Sequence, residues 1–580
     1  MKSLLRVLLL GAAVILSACR TSASGGDVRL SDFLDPRADS LDAGPAIRRA
    51  LAHCASTHAR RLILPGGELR IREDLLVEKY QFISNNDEGL KRIAFDLDGF
   101  ENFTVEGAGT RLLFTGFVSP FSLERCRNVR IRNLEIDFTR TFHSEATVRA
   151  AGPGWLDLEF PATYRCDLSD GCLRLFDDEG RSYPYSSLLE FDARRREPAF
   201  HVDDYWLPAH TIPAERRADG RIRIFRPDLK ATPGNTLVFG AARRLNPGFV
   251  LSDSQVVEIH DVTIHHCGGM GVIAQRCSDI TLERLRVVPA PGRMISITAD
   301  ATHFANCSGK IRLLDCTFLN QKDDATNIHG IYMPVVRCIG PKTLRLRLAH
   351  SGQYGVDFLR EGMQVEVVDN RSLMTYARRT VGQVQRLNKE FTEVTFTEPL
   401  PDSIRTGHLI AADEAGPDVL IRGCRMSGNR ARGLLIGSRG KVVIEENYFH
   451  IAGASILFEG DGNFWFEQSG VRDVTIRNNR FENGNYGSLG WGAACIAVGS
   501  GIPDRAASRY HRNIRVEGNT FRVFDPRIVN LYCVDGFRFA DNNRIIRTTN
   551  YPAQFDPELF FRFAECDHVE VPAHVVWQEE

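Results

Sequence analysis

Three aspartates, Asp300, Asp323 and Asp324, lie in the stretch 297–330 at intervals of 23 and 24 residues. The same interval separates matched apolar positions elsewhere, 23 residues each from Val257 to Ile280, Val419 to Val442 and Ile514 to Phe537. If one interval is one coil of a stacked β-solenoid, the three carboxyls come from neighbouring coils at one angular position. Strands about 4.8 Å apart then bring them into one cluster. Clustered carboxylates cannot all ionise freely, so at least one is pushed up and an acid is created beside a base. Glycoside hydrolysis uses that division of labour, and an inverting acid and base stand about 6.5–9.5 Å apart. Adjacent side chains in a regular strand face opposite sides, but Ala325-Thr326-Asn327 suggests a bend at which Asp323 and Asp324 both face outward. Splayed in that way, with a third carboxyl from the next coil, they can meet the inverting spacing. Turn capping or a calcium site is the alternative for such a cluster; the register match favours catalysis.

The elements that must position this cluster repeat along the chain. From Phe95 the unit is Asn or Asp followed by alternating apolar and polar residues, as in Asn102-Phe103-Thr104-Val105, Asp279-Ile280-Thr281-Leu282, Asp418-Val419-Leu420-Ile421, Asp473-Val474-Thr475-Ile476 and Asn513-Ile514-Arg515-Val516. The alternation turns Val and Ile inward and Thr and Arg outward. Asn and Gly at the unit ends suit turns with positive φ. A unit that buries its apolar face only against its neighbours is a solenoid coil. Longer intervals, 31 residues from Ile280 to Ile311 and 40 from Val474 to Ile514, mark coils that extrude loops. An open solenoid end exposes core and backbone; the helical spacing of Ala46, Ile47, Ala50 and Leu51 predicts a capping helix over 42–51, followed by a strand and turn at 62–67. Two stretches, 140–247 and 335–415, lose the repeat and read as inserted antiparallel β-domains. The second leaves directly after the aspartate pair and is expected to wall the site. Excising the first is expected to leave the coils stacked. The division that results is 28–139 for the cap and first coils, 248–334 for the central coils and 416–575 for the C-terminal coils.

A formal net charge of −1 over 580 residues gives no basic face for nucleic acid. At the N-terminus Lys2 and Arg6 precede an apolar run ending in Leu16-Ser17-Ala18-Cys19. That layout is a secretory signal over 1–18, and it resembles a bacterial lipoprotein box with Cys19 as the lipidated first residue. Residues 19–27 follow as a polar tether. The expected location is the cell envelope, with membrane attachment through the N-terminal lipid. Cys166 and Cys172 are close enough in sequence to bridge, whereas Cys307, Cys316, Cys424 and Cys533 fall in or beside repeat strands as buried small hydrophobes. His260, His265 and His266 have no partner at metal-site spacing.

The pairing of Ala299-Asp300-Ala301-Thr302-His303 with Asp323-Asp324-Ala325-Thr326-Asn327-Ile328-His329-Gly330 resembles glycoside hydrolase family 110, the α-1,3-galactosidases acting on blood-group-B-type glycans. The likeness extends to Leu457-Phe458-Glu459-Gly460-Asp461-Gly462-Asn463-Phe464-Trp465. The resemblance implies an all-β fold, a right-handed parallel β-helix interrupted by two small β-barrels. It implies exo-acting, inverting hydrolysis with Asp323 as general acid and Asp300 with Asp324 positioning the attacking water. No cofactor or metal is expected. His303, Asn327 and His329 flank the aspartates and could hold sugar hydroxyls. Trp465 and Phe464, near Glu459, could form a sugar platform, and Arg430 and Arg432 are weaker candidates. The expected partner is an oligosaccharide or glycoconjugate ending in α-galactose, with a homo-oligomer as a further option. Two other readings remain: a uronate-acting β-helix hydrolase or lyase, for which Lys322 would be the base, and a surface glycan-binding protein without chemistry.

Overall fold

The computed structural model describes residues 25–580 apart from 36, 38, 88, 414 and 415. Cys19, the signal segment and most of the tether lie outside the described residues. Each regular coil carries three short strands, for example Ser278–Glu283, Arg286–Val287 and Thr302–Ala305, and each pairs in parallel with its counterpart on the next coil. The chain is therefore a three-faced parallel β-helix. On its first face one register column runs Val257, Ile280, Ile311, Val419, Val442, Val474, Ile514, Phe537 and Val569. The three 23-residue intervals of the sequence are thus coil-to-coil steps, and the 31- and 40-residue intervals are single coils with loops. All of this column but Val569 is buried, and each such side chain contributes about 1.5–3 kcal/mol through burial. Asn102, Asn128, Asn133, Asn478 and Asn513 take φ of 51–59°, as the turn chemistry requires. Asn447, Asn479, Asn519 and Asn543 do something else. Their amides stack in a ladder, each Nδ2 donating to the next Oδ1 at 2.9–3.0 Å, so every buried amide is satisfied by the next coil.

The predicted cap is a helix over Gly44–Thr57 that buries Ala46, Ile47, Ala50 and Leu51 against the first coils. The coils begin before Phe95, however. Gly25–Arg29 pairs in parallel with Ala59–Ile63, which pairs in turn with Glu101–Thr115. Residues 25–27 of the expected tether are therefore strand, because backbone pairing requires no apolar side chain.

Between Ser144 and Ala241 the first insert forms an eight-stranded antiparallel sheet with a separate hairpin, Arg165–Ser169 and Cys172–Phe176. Cys166 faces Leu175 and Cys172 faces Ser169 across that hairpin, so the expected bridge does not form and both thiols are free. The second insert, from Met333 to Ala412, is a closed six-stranded barrel. The first insert is not simply appended to the coils. Its Leu189, Phe191, Val202 and Val238 share a buried cluster with Ile295, Ala452, Tyr486 and Trp491 of the solenoid. Its buried Glu145 accepts hydrogen bonds from the backbone of Met294 and Ile295 at 2.9–3.0 Å. Excision of 140–247 would expose that core, which the expectation from nearest-neighbour stacking overlooked.

Candidate active site

On the third face Thr302–Ala305, Thr326–Ile331 and Leu434–Ile436 stack in parallel, with Thr302, Thr326 and Leu434 in register. Two residues before each stands Asp300, Asp324 or Arg432, so these three occupy one column of turn positions on successive coils. Their backbones are tied together: Ala301 N–H donates to the Asp324 carbonyl at 3.0 Å, and the buried Thr302 and Thr326 hydroxyls meet at 2.8 Å. Ala301 and Ala325 turn into the core. A bend spans Lys322 and Asp323, and it lets Asp323 and Asp324 face the same cavity; the bend begins before the pair, whereas Thr326 and Asn327, where the sequence suggested it, already belong to the strand Thr326–Ile331. Asn429 holds the neighbouring turn, its amide donating to the Asp323 and Arg432 carbonyls at 3.1 and 2.7 Å.

The cavity has a volume of about 580 Å³. Its floor carries Asp300, Asp323, Asp324, His303, Asn327, Arg430 and Arg432. The first insert adds Ser187, Trp206 and Arg244; the second adds His350, Tyr354 and Lys389; and the N-terminal segment adds Asn85, Asn86 and Asp87. Both inserts therefore wall the site, not the second alone. Glu459, Trp465 and Glu467 also line it. Trp465 and Phe464 are 41% and 62% exposed, so neither is a core residue. They stand on a turn fixed by Asp461, whose carboxylate accepts from the backbone N–H of Asn463, Phe464, Trp465 and Phe466 at 2.8–3.0 Å. Trp465 packs against His350 with ring centroids 4.7 Å apart.

The three carboxyls sit in different electrostatic settings. Asp323 accepts from Arg430 Nη1 at 3.1 Å through one oxygen and from Arg244 Nη2 through the other. Burial pushes Asp323 up, but Arg244, Arg430 and Arg432 outweigh that and hold it below the ordinary carboxylate value. Arg432 grips Asp324 with a two-pronged contact, Nε and Nη2 each at 2.9 Å, and its own backbone N–H adds a third bond at 3.0 Å. Burial still pushes Asp324 up to about 7 against that pull. Asp300 is bonded to His303 Nδ1 at 2.7 Å; burial, reinforced by the charge of Asp323, pushes it up to about 7. Glu459 is likewise pushed up to about 7 by burial, with Arg432 opposing.

The nearest oxygens of the three aspartates lie within 4.8 Å of one another. Five of the six oxygens are already hydrogen-bonded to guanidinium or imidazole nitrogens, so the donor set is committed to those bonds and a cation would have to displace them. Lys322 is buried in the wall, donates to Ser187 Oγ at 3.0 Å and is pushed down to about 8 by burial. The other histidines do not converge: His260 meets Glu258 and Glu283, His265 the Val288 carbonyl, and His266 the Ser296 carbonyl and the Phe142 N–H.

Of the residues singled out from the sequence, Asp300, Asp323, Asp324, His303, Asn327, Glu459 and Trp465 meet at one cavity. His329 does not line it. Both its nitrogens are taken, Nδ1 by the Gly330 carbonyl at 2.7 Å and Nε2 by His303 Nε2 at 2.8 Å. The nitrogens of His303 are taken as well, by Asp300 and His329, so neither ring has one left for a sugar hydroxyl. The sequence reading missed Arg244, Trp206, Asn85 and Glu467, and it underrated Arg430 and Arg432. The signal for Arg432 was present, since it occupies the aspartates' column one coil on; Arg244 and Trp206 come from an insert with no register to read.

Two family models match the inserts, GLAA-B beta-barrel domain I over residues 144–237 and GLAA-B beta-barrel domain II over 343–410. The chain is 33% identical to alpha-1,3-galactosidase A of Shewanella woodyi over 95% of this chain and 90% of that one. It is 31% identical to alpha-1,3-galactosidase A of Bacteroides fragilis, over 89% and 86%, and 27% identical to alpha-1,3-galactosidase B of Bacteroides thetaiotaomicron, over 94% and 90%. Among solved structures it is similar to a family 28 exopolygalacturonase of Yersinia enterocolitica, at 12% identity and a TM-score of 0.41 over 96% of this chain and 80% of that one. With relatives of this identity aligned along almost their whole length, the chain belongs to the α-1,3-galactosidase family, glycoside hydrolase family 110.

Proposed function

We propose that the protein is an exo-acting, inverting α-1,3-galactosidase that hydrolyses terminal α-1,3-linked galactose from glycans, of the branched blood-group-B type or linear. The observation that carries this reading is the carboxyl cluster on the cavity floor, whose members are placed in unlike electrostatic settings, as an acid and a base must be. Asp324, oriented by Arg432, and Asp300 hold the attacking water, and Asp323 protonates the departing oxygen. In the resting site Arg244, Arg430 and Arg432 keep Asp323 ionised, so it must take up a proton from solvent as the sugar enters before it can act as the acid. Arg244, with 34% of its side chain exposed, is the guanidinium that sugar hydroxyls can draw away. The exposed indole of Trp465 suits the apolar face of galactose.

The clustering of one oxygen from each aspartate within 4.8 Å favours a second reading, retention through a covalent intermediate, for which the two carboxyls stand closer than in inversion, about 5–5.5 Å apart. The anomer released first separates the two. Release of galactose from a B-type trisaccharide and from a linear α-1,3-galactobiose tests the activity itself; turnover of neither refutes it, and the ratio of rates gives the preference. We further propose that Cys19 is lipidated and holds the enzyme on the cell envelope, a reading supported by the Leu16-Ser17-Ala18-Cys19 box.

A further inference from the structure

Behind Asp300 a line of side chains leads away from the cavity. His303 Nδ1 lies 2.7 Å from Asp300 Oδ2, and His303 Nε2 lies 2.8 Å from His329 Nε2. His329 Nδ1 lies 2.7 Å from the Gly330 carbonyl. His303 and His329 are 1% and 5% exposed, so no contact in the line can be left as two facing lone pairs.

The protons follow from one fixed point. A carbonyl only accepts, so His329 carries its proton on Nδ1. The two Nε2 atoms face each other and need one proton between them, and so do His303 Nδ1 and the Asp300 oxygen. Three arrangements satisfy all three contacts; the one with His303 as an imidazolium beside an Asp300 carboxylate is disfavoured, because burial and the neighbouring His329 push His303 down to about 3, and two remain. In the first, Asp300 is a neutral acid donating to His303 Nδ1, and His303 Nε2 donates to His329. In the second, Asp300 is a carboxylate, His303 is neutral with its proton on Nδ1, and His329 is an imidazolium. Both hold the same number of protons and the same net charge.

We propose that Asp300, His303 and His329 form a proton relay that holds one mobile proton and frees Asp300 to act as the general base by passing that proton to His329. The step conserves atoms and charge. The Asp300 proton moves to His303 Nδ1 as the His303 Nε2 proton moves to His329 Nε2, and no bond to carbon is touched. His303 is neutral in both arrangements, in keeping with burial and the neighbouring His329 pushing it down to about 3. The far end is built to receive charge. Glu467 Oε1 lies 3.5 Å from His329 Nε2, and Asn85, whose Nδ2 donates to that same Glu467 oxygen at 2.9 Å, stands 3.3 Å from His303 Nε2 and can donate there once it is bare. The charged groups facing Asp300 are Asp323, Asp324, Glu467, Arg244 and Arg432, and those facing His303 are Glu467, Asp323 and Arg244. Asp323 and Asp324 oppose ionisation of Asp300, which is why it needs a sink for its proton. His303 and His329 are positioning residues, since neither has a nitrogen free for substrate.

This inference rests on the galactosidase reading for its rate effect but not for its proton count. Two measurements test it. In wild-type protein labelled with ¹⁵N-histidine, long-range ¹H–¹⁵N spectra should show His329, assigned through His329→Gln, protonated on Nδ1 and turning to imidazolium without gaining a proton from solvent as Asp300 ionises. A His329 protonated on Nε2 alone overturns the relay whether or not any galactoside is turned over. In kinetics, His329→Gln keeps a hydrogen bond but cannot hold a second proton, so Asp300 retains its own to higher pH. The acid limb of kcat/KM should move up by about one unit, a tenfold loss on that limb, with activity recovering at alkaline pH. An equal loss at every pH, or an unmoved limb, overturns the proposal. A wild type without activity on any α-galactoside refutes the function and leaves the spectra to decide the relay.

Discussion

Replacing Arg432 by Met isolates the electrostatics of the site. Asp324 is 2% exposed, and Arg432 supplies two of its three hydrogen bonds, the third coming from backbone that survives the change. Methionine fills much of the space left by the arginine stem, so the main loss is the countercharge. Leaving a buried carboxylate without its partner costs about 3–5 kcal/mol while it stays charged, but the group can escape by binding a proton. Asp324 is already held near 7, and losing Arg432 raises it further. Its folded value lies above its unfolded one, so the folded state binds the extra proton and stability falls as pH rises between the two. Below about pH 7 both proteins carry that proton and should unfold at similar urea concentrations. Above it the gap should widen by up to about 1.4 kcal/mol per pH unit until the full cost is reached, about two to four units higher. Urea unfolding of both proteins at pH 5.5, 7 and 9 measures this. An equal deficit at pH 5.5 and 9, or none at 9, would refute the reasoning. The variant should also lose most activity between pH 5.5 and 9, because Asp324 is then largely neutral and unaimed.

Three other outcomes follow from the site. Asp323→Asn should slow galactosides with poor leaving groups at least about a hundredfold and an activated aryl galactoside far less, since only the former need the acid's proton; equal losses on both would count against Asp323 as the acid. Trp465→Ala should raise KM about three- to tenfold with kcat little changed, the scale of one lost aromatic contact; an unchanged KM would remove Trp465 from the platform. Cys19→Ala should release the protein from membranes in cell fractionation, and a variant that still sediments with them would contradict the lipid anchor.

Much of the solenoid was legible because its physics is periodic. The column from Val257 to Val569 repeats one apolar position per coil, and the aspartates announce themselves by sharing that period. The helix over Gly44–Thr57 was readable from four apolar residues at helical spacing. What escaped reading was whatever depends on contacts without a period. The Gly25–Arg29 strand pairs in parallel with Ala59–Ile63 but carries only Val28 as an apolar residue on the core, and Glu145, Arg244 and Trp206 reach the coils from an insert whose sequence carries no register. Asn at the unit ends reads as turn chemistry, and only the stack of coils reveals the amide ladder through Asn479 and Asn519. The two histidines beside the aspartates looked like sugar ligands by proximity. Their hydrogen bonds turn them away from the sugar and toward Asp300.

The anomeric configuration of the first-formed sugar tests the central claim most directly. Proton NMR of galactose released from an α-1,3-linked substrate, recorded before mutarotation equilibrates the anomers, should show β-galactose first. Initial α-galactose would contradict inversion and turn the clustering of aspartate oxygens within 4.8 Å into evidence for a covalent intermediate.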